Sequence, residues 1–230
     1  DPDFPVSAQR AEWFLGKTTN RNVDGVIAVN LSVARELLKA TGPIVLTDYN
    51  EEVTSDNLFE RAEYHSEIDF FPGSTQKRDF LGTLAREIFN RLKNSSGNDL
   101  LKLGQALETS LNQKELLIYL HDPESQKLLL EQNWAGALFS PNLTSTDMPV
   151  TTDYTYLVEA NLGINKANYF LKRHIEQQLT ILKTKEILAV TTIEYQNQSP
   201  ADTWPGGVYR SYLRDYLPKG ATVVSVKTGD

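Results

Sequence analysis

The densest run of chemistry-bearing side chains is Arg61, Glu63, His65, Glu67 and Asp69, followed after a short glycine- and hydroxyl-bearing loop by Lys77-Arg78-Asp79. Two adjacent cations at the start of a helical pattern have a recognisable use. A helix N-terminus presents unpaired N–H groups and the positive end of the macrodipole, so it attracts phosphates. An arginine there can grip a pyrophosphate with two parallel hydrogen bonds, while a neighbouring carboxylate holds it in place or serves a Mg²⁺ ion. Arg61, Lys77, Arg78 and Asp79 are therefore the candidate ligand-binding residues. The simpler alternative is a solvated helix face on which Lys77 and Arg78 pair with nearby acids, as most surface charges do.

Other candidates are weaker. His65, His121 and His174 fall on different elements, which disfavours a multi-histidine metal site. No HExxH, Walker loop, GxSxG or dinucleotide fingerprint is present, so no motif carries a mechanism by itself. Asn161-Leu-Gly-Ile-Asn165-Lys-Ala-Asn168 combines asparagines with a glycine between strands, and reads as a structural corner before it reads as a ligand site. Asp202-Thr-Trp204-Pro-Gly-Gly207 reads as a loop whose tryptophan packs on a sheet.

The elements that must position these residues follow from composition and period. The chain has 230 residues, 40% of them hydrophobic and 23% charged, within the range of globular proteins. Its formal charge of −7 argues against a nucleic-acid groove. With no cysteine it has no disulfide, thiolate metal site or cysteine nucleophile. No apolar run approaches the length of about 20 residues that crosses a bilayer. The first residue is Asp1, with no leader-like stretch around it, which reads as a processed or cut start.

Charge and period both change partway along. Residues 1–149 hold 14 basic and 22 acidic side chains, whereas residues 150–230 hold 9 and 8. Helical periods dominate before about Phe139 and period-two alternation after Asp153, with the turn-rich stretch Ser140 to Pro149 between them. The expected units are 1–145, α/β and N-terminally incomplete, and 146–230, an antiparallel β-sandwich-like unit.

In the first unit Ser7 is expected to cap a short helix over Ala8 to Leu15, with Trp13 and Phe14 facing a core. Gly25 to Asn30 is a continuous apolar run, read as a strand with Val26 and Ile27 buried on both faces, as in a parallel sheet. Helix Val33 to Ala40, the stop Thr41-Gly-Pro43 and strand Ile44 to Leu46 complete an expected right-handed crossover. Further helices are expected from Thr54 or Ser55 to Ser66, Lys77 to Lys93, Asp99 to Leu111 and Pro123 to Gln132, and a strand at Leu116 to Leu120. In the second unit, strands are expected at Tyr154 to Ala160, Tyr169 to Ile181, Ile187 to Tyr195, Val208 to Leu217 and Thr222 to Val226, with Lys183-Thr-Lys185 as a hairpin turn.

Several of these segments together resemble a known family. Asp3-Phe-Pro5, Ala11-Glu-Trp-Phe14, Val23 to Val29, Leu37 to Ile44, Lys77 to Leu81, Asn161 to Lys166 and Trp204 to Gly207 look like the bacterial domain of unknown function 4012 family. The resemblance implies an extracytoplasmic protein at the cell surface or anchored to the membrane, with membrane contact only through a segment upstream of Asp1. More distantly, the first unit is similar in pattern to the LytR-CpsA-Psr glycopolymer transferases. In that likeness Val23 to Ile44 supplies the strand and helix, Arg61 to His65 the arginine-bearing segment, and Arg78-Asp79 the Arg-Gln pair, with Asp79 standing where glutamine would be. It implies a layered α/β fold, polyprenyl-pyrophosphate-linked glycopolymers as substrates, and Mg²⁺ as the one cofactor to consider. If the chain is an enzyme, the expected activity is glycopolymer phosphotransfer, with this stretch alone inactive because the family's upstream acidic and arginine motifs are absent. The competing expectation is a non-catalytic adhesion or assembly module. The expected partners are a cell-wall or surface glycopolymer or another surface protein, and not nucleic acid.

Overall fold

A computed structural model describes residues 2–65, 75–138, 153–163, 165–203, 205–218 and 220–229; the side chains of residues 76 and 77 lie outside what it describes. The loop Phe70 to Ser74, the residues Glu67, Asp69 and Trp204, and the stretch Ser140 to Pro149 also lie outside the described residues. The chain divides into two compact units, Asp1–Ser140 and Pro141–Asp230.

The first unit opens with helix α1, Phe4–Thr19. Its N-cap is Asp3, whose carboxylate accepts from the Val6 N–H at 3.2 Å, and Pro5 fits the first turn, where its missing N–H costs nothing. The cap therefore lies upstream of the expected Ser7. The helix runs through Gly16 and stops at Asn20, which takes the left-handed conformation with φ 53°. Trp13 and Phe14 are 53% and 56% exposed rather than core-facing, because the buried side of α1 is marked by the small Ala8.

Strand β1, Gly25–Val29, pairs antiparallel with β4, Leu116–Leu120, in the register Gly25↔Leu120 to Val29↔Leu116. The approach is close at Gly25: a Cβ there would lie 2.2 Å from the Tyr119 carbonyl oxygen. Helix α2, Leu31–Thr41, leads to β2, Ile44–Leu46, which pairs antiparallel with β3, Glu51–Val53. This corrects the expected parallel crossover, since β1 and β2 belong to separate two-stranded ladders. It also corrects burial on both faces of β1. Val26 and Ala28 are half-buried, while Ile27 and Val29 are 61% and 63% exposed.

Helices α3, Leu58–Glu63, α4, Gln76–Asn94, α5, Gly97–Asn112, and α6, Pro123–Glu131, complete the unit. The first begins at Leu58, later than the expected start at Thr54 or Ser55. At its start the Thr54 hydroxyl accepts from the Asp56 and Asn57 N–H groups and Asn57 Oδ1 accepts from the Thr54 N–H, a side-chain turn that competes with helix. Helix α2 lies between two cores. Leu38 joins Ile44, Leu46, Val53, Leu58, Phe80 and Leu84, whereas Val33 and Leu37 join Leu103, Ala106, Leu111 and Leu116. Arg91 of α4 donates to the carbonyls of Thr41 at 3.0 Å and Gly42 at 2.8 Å, closing the C-terminal end of α2. This unit is mixed helix and strand, with small antiparallel sheets.

The second unit contains two antiparallel ladders. Strand β5, Tyr156–Asn161, pairs with β8, Ser211–Tyr216, and β6, Leu171–Ile181, pairs with β7, Ile187–Asn197. The β6–β7 turn spans residues 183–185. The Leu182 N–H donates to Glu186 O, the Lys185 N–H donates to Leu182 O, and Lys185 holds φ 68°, the left-handed residue that three-residue hairpin loops require. Among the described residues of this unit Ala167 is the one buried apolar side chain, so they form no sandwich core. Residues Thr222 to Val226 form no described ladder, and Val224 and Val226 are 81% and 80% exposed. Their β-propensity reports a fit to a half-buried pleated surface, and the described structure gives them none to bury against.

Candidate functional site

In the first unit, one of the expected ligand-binding residues, Arg61, lies beside a carboxylate. Glu51 on β3 receives Arg61 Nη1 at 3.6 Å on one oxygen and His65 Nε2 at 3.0 Å on the other. The His65 ring stacks on buried Phe80 with centroids 4.5 Å apart, and Tyr49 meets His65 edge-on at 4.9 Å. Burial, then Asp79 and Asp48, push the Tyr49 hydroxyl above its ordinary pKa, so acids surround this corner. Asp79 itself accepts from the Thr75 hydroxyl.

Arg78 is differently placed. Its Nε lies 4.0 Å from Asp79 and its side chain is 82% exposed, so it faces water with a loose partner. Lys77 lies in α4 by its backbone, and its side chain is outside the described residues. Among the described residues Arg61 pairs with Glu51 and Arg78 lies beside Asp79, so each cation already faces a carboxylate that a pyrophosphate would have to displace. The Mg²⁺ implied by the transferase likeness finds no fitting donor set among the described residues. Among the described residues no three His, Asp or Glu side chains come together to hold a metal, Glu51 is engaged by Arg61 and His65, and Asp79 by a hydroxyl. His121 sits 2.9 Å from Glu12, and His174 in the second unit lies opposite Glu194.

The second unit holds a polar constellation that sequence reasoning missed. Glu159 on β5 accepts from Arg173 Nη1 on β6 at 2.8 Å, and the same oxygen accepts from the Tyr195 hydroxyl on β7. Hydrogen bonding to Glu159 raises the Arg173 pKa, while burial first and Glu159 second raise that of Tyr195. Tyr209 lies beside Tyr195, ring centroids 6.1 Å apart. Glu159, Arg173 and Tyr209 border a concavity of about 550 Å³, lined also by Asn161, Asn165, Lys166 and Asn168.

The asparagines form the expected corner and shape the concavity. Asn161 Nδ2 donates to Asn165 Oδ1 at 2.9 Å, while Asn161 Oδ1 accepts from the Gly163 and Arg210 N–H groups. Asn165 Nδ2 donates to Val208 O at 2.9 Å, and its Oδ1 accepts from the Ala167 N–H. One signal for the constellation was present in the sequence: reflecting β6 onto β7 about Thr184 pairs Arg173 with Tyr195, as the ladder does. Nothing in local sequence brings Glu159 to them.

A mixed helix-and-strand unit followed by antiparallel ladders is the class of protein this fold defines. Over residues 1–66 the chain matches the family described as Protein of unknown function (DUF4012), in agreement with the resemblance carried by Asp3 to Pro5, Ala11 to Phe14, Val23 to Val29 and Leu37 to Ile44. No curated protein matches the chain, and no solved structure does. Among the described residues no helix is long and apolar enough to cross a membrane.

Proposed function

We propose that this chain is a non-catalytic binding and assembly module of the cell envelope, acting outside the cytoplasmic membrane on a cell-wall or surface glycopolymer or on another surface protein. The observation that carries this reading is the disposition of the cations in the first unit. Arg61 is engaged by Glu51, and Arg78 points to water in an acidic neighbourhood, so the two do not offer the converged positive site that a polyprenyl pyrophosphate needs. The polar concavity of the second unit supports contact with a hydrophilic partner instead.

The layered transferase fold and glycopolymer phosphotransfer belong to the competing reading, which requires Arg61 and Arg78 to leave their present partners and meet on one ligand. Titration of the chain with a soluble polyprenyl pyrophosphate analogue, with and without Mg²⁺, separates the two. The expected result is no saturable binding in either condition. Saturable binding lost in Arg61→Gln and Arg78→Gln overturns the proposal.

A further inference from the structure

The concavity of the second unit has a chemistry more specific than polarity. Among the described residues that line it stand two cations, Arg173 and Lys166, and one carboxylate, Glu159, within a chain of formal charge −7. Arg173 spends Nη1 on Glu159, and the Tyr195 hydroxyl on the same oxygen fixes that carboxylate, so the guanidinium is held in one orientation. Its side chain remains 41% exposed. With the side chain part-exposed, the N–H groups that Glu159 does not use can make the parallel pair of hydrogen bonds that carboxylates and phosphates accept. Asn168, exposed at the rim, offers both a donor and an acceptor, which is what adjacent sugar hydroxyls need. Tyr209 adds a flat ring suited to the apolar C–H face of a pyranose. The rings of Tyr195 and Tyr209 are 6.1 Å apart and inclined at 37°, which leaves no parallel slot for a nucleobase between them. Because Asn161 and Asn165 tie the surrounding loops to the backbone, the cleft is formed before any ligand arrives, and its volume of about 550 Å³ is that of a small-ligand site.

We propose that the concavity framed by Glu159, Arg173, Asn168 and Tyr209 binds an acidic saccharide, a sugar carrying a carboxylate or phosphate substituent. This deepens the envelope-binding reading and rests on it. The test is calorimetric titration of the full chain with a tetragalacturonate, a phosphorylated disaccharide and neutral maltotetraose, at low salt and in 0.5 M salt, alongside sedimentation with purified anionic wall polymer. Acidic ligands are expected to bind at least about tenfold more tightly than the neutral one, with affinity falling as salt rises. The two acidic ligands report whether carboxylate or phosphate is preferred. Arg173→Gln is expected to weaken the acidic ligand by about tenfold or more, the loss of one charge-assisted contact, while Lys127→Gln on α6 of the first unit changes nothing. Because Arg173→Gln could disturb the β6–β7 ladder, Asn168→Ala is made in parallel. Its exposed amide takes no part in the asparagine frame, and it is expected to weaken every saccharide severalfold without changing the circular dichroism. Equal binding of acidic and neutral sugars, or undiminished binding by both variants, overturns the site while leaving the envelope reading intact if the chain still sediments with wall polymer. Absence of binding to the saccharides and to the polymer overturns both.

Discussion

Glu51 is the residue on which the corner of the first unit depends, because Arg61 and His65 reach it from the same stretch of chain. Replacing it by glutamine leaves two donors without their anion. Arg61 is more than a third exposed, so solvent screens the loss, and Glu51→Gln is expected to lower stability by about 1 kcal/mol, read as a shift in denaturant midpoint. Arg78→Gln is expected to fall within about 0.5 kcal/mol of the wild type in the same assay, since its side chain meets mostly water. Tyr195 gives a pH prediction. Its folded pKa is raised above the unfolded value, so the stability it contributes is complete below about pH 10 and is lost as pH rises through the folded value. The denaturant midpoint of Tyr195→Phe should therefore decline less steeply than that of the wild type above pH 10; parallel declines would show that the Glu159 contact is not felt in solution. The charges of these sites were visible in sequence, but their partners were not. His65 and Glu51 are 14 positions apart, and Tyr195 lies 36 positions from Glu159, distances that only tertiary folding closes.

Elements were legible where their signals were local. Strand β4 and its bounds, the amphipathic face of α4 through Phe80, Leu84 and Ile88, and the hairpin turn at 183–185 all follow from period and turn chemistry. Strand β1 shows how such a signal misleads. Its inner positions Val26 and Ala28 and its outer positions Ile27 and Val29 are all apolar, so the alternation that separates a half-buried strand from a doubly buried one cannot be seen. The antiparallel pairing with β4 is a contact across some 90 residues, for which no sequence period exists. Two changes test the elements. Lys185→Gly relieves a left-handed residue with φ 68° and is expected to raise the melting midpoint modestly, by about 0.5–1 kcal/mol of stability. Phe80→Ala empties the centre of the first core, where the ring is fully buried beneath His65, and is expected to cost about 3–5 kcal/mol in denaturant unfolding.

At the scale of the whole molecule the two units differ in what holds them. The first has two packed apolar clusters joined by α2, whereas the described part of the second has ladders, an asparagine frame and one buried alanine. Hydrogen-bonded ribbons with little apolar burial are marginal, so the second unit is expected to unfold at lower denaturant than the first, in a separate transition followed by tyrosine fluorescence and amide exchange. The charge asymmetry between the halves was legible at once, and it matches the difference in chemistry: an acidic first unit and a near-neutral second one whose concavity gathers cations. Amide chemical-shift mapping of the full chain during titration with fragments of an anionic wall polymer tests the binding reading most directly. Shifts concentrated at Asn168, Arg173 and Tyr209 are the predicted result. Shifts centred on Arg61 and Arg78, or none at all at saturating polymer, would contradict it.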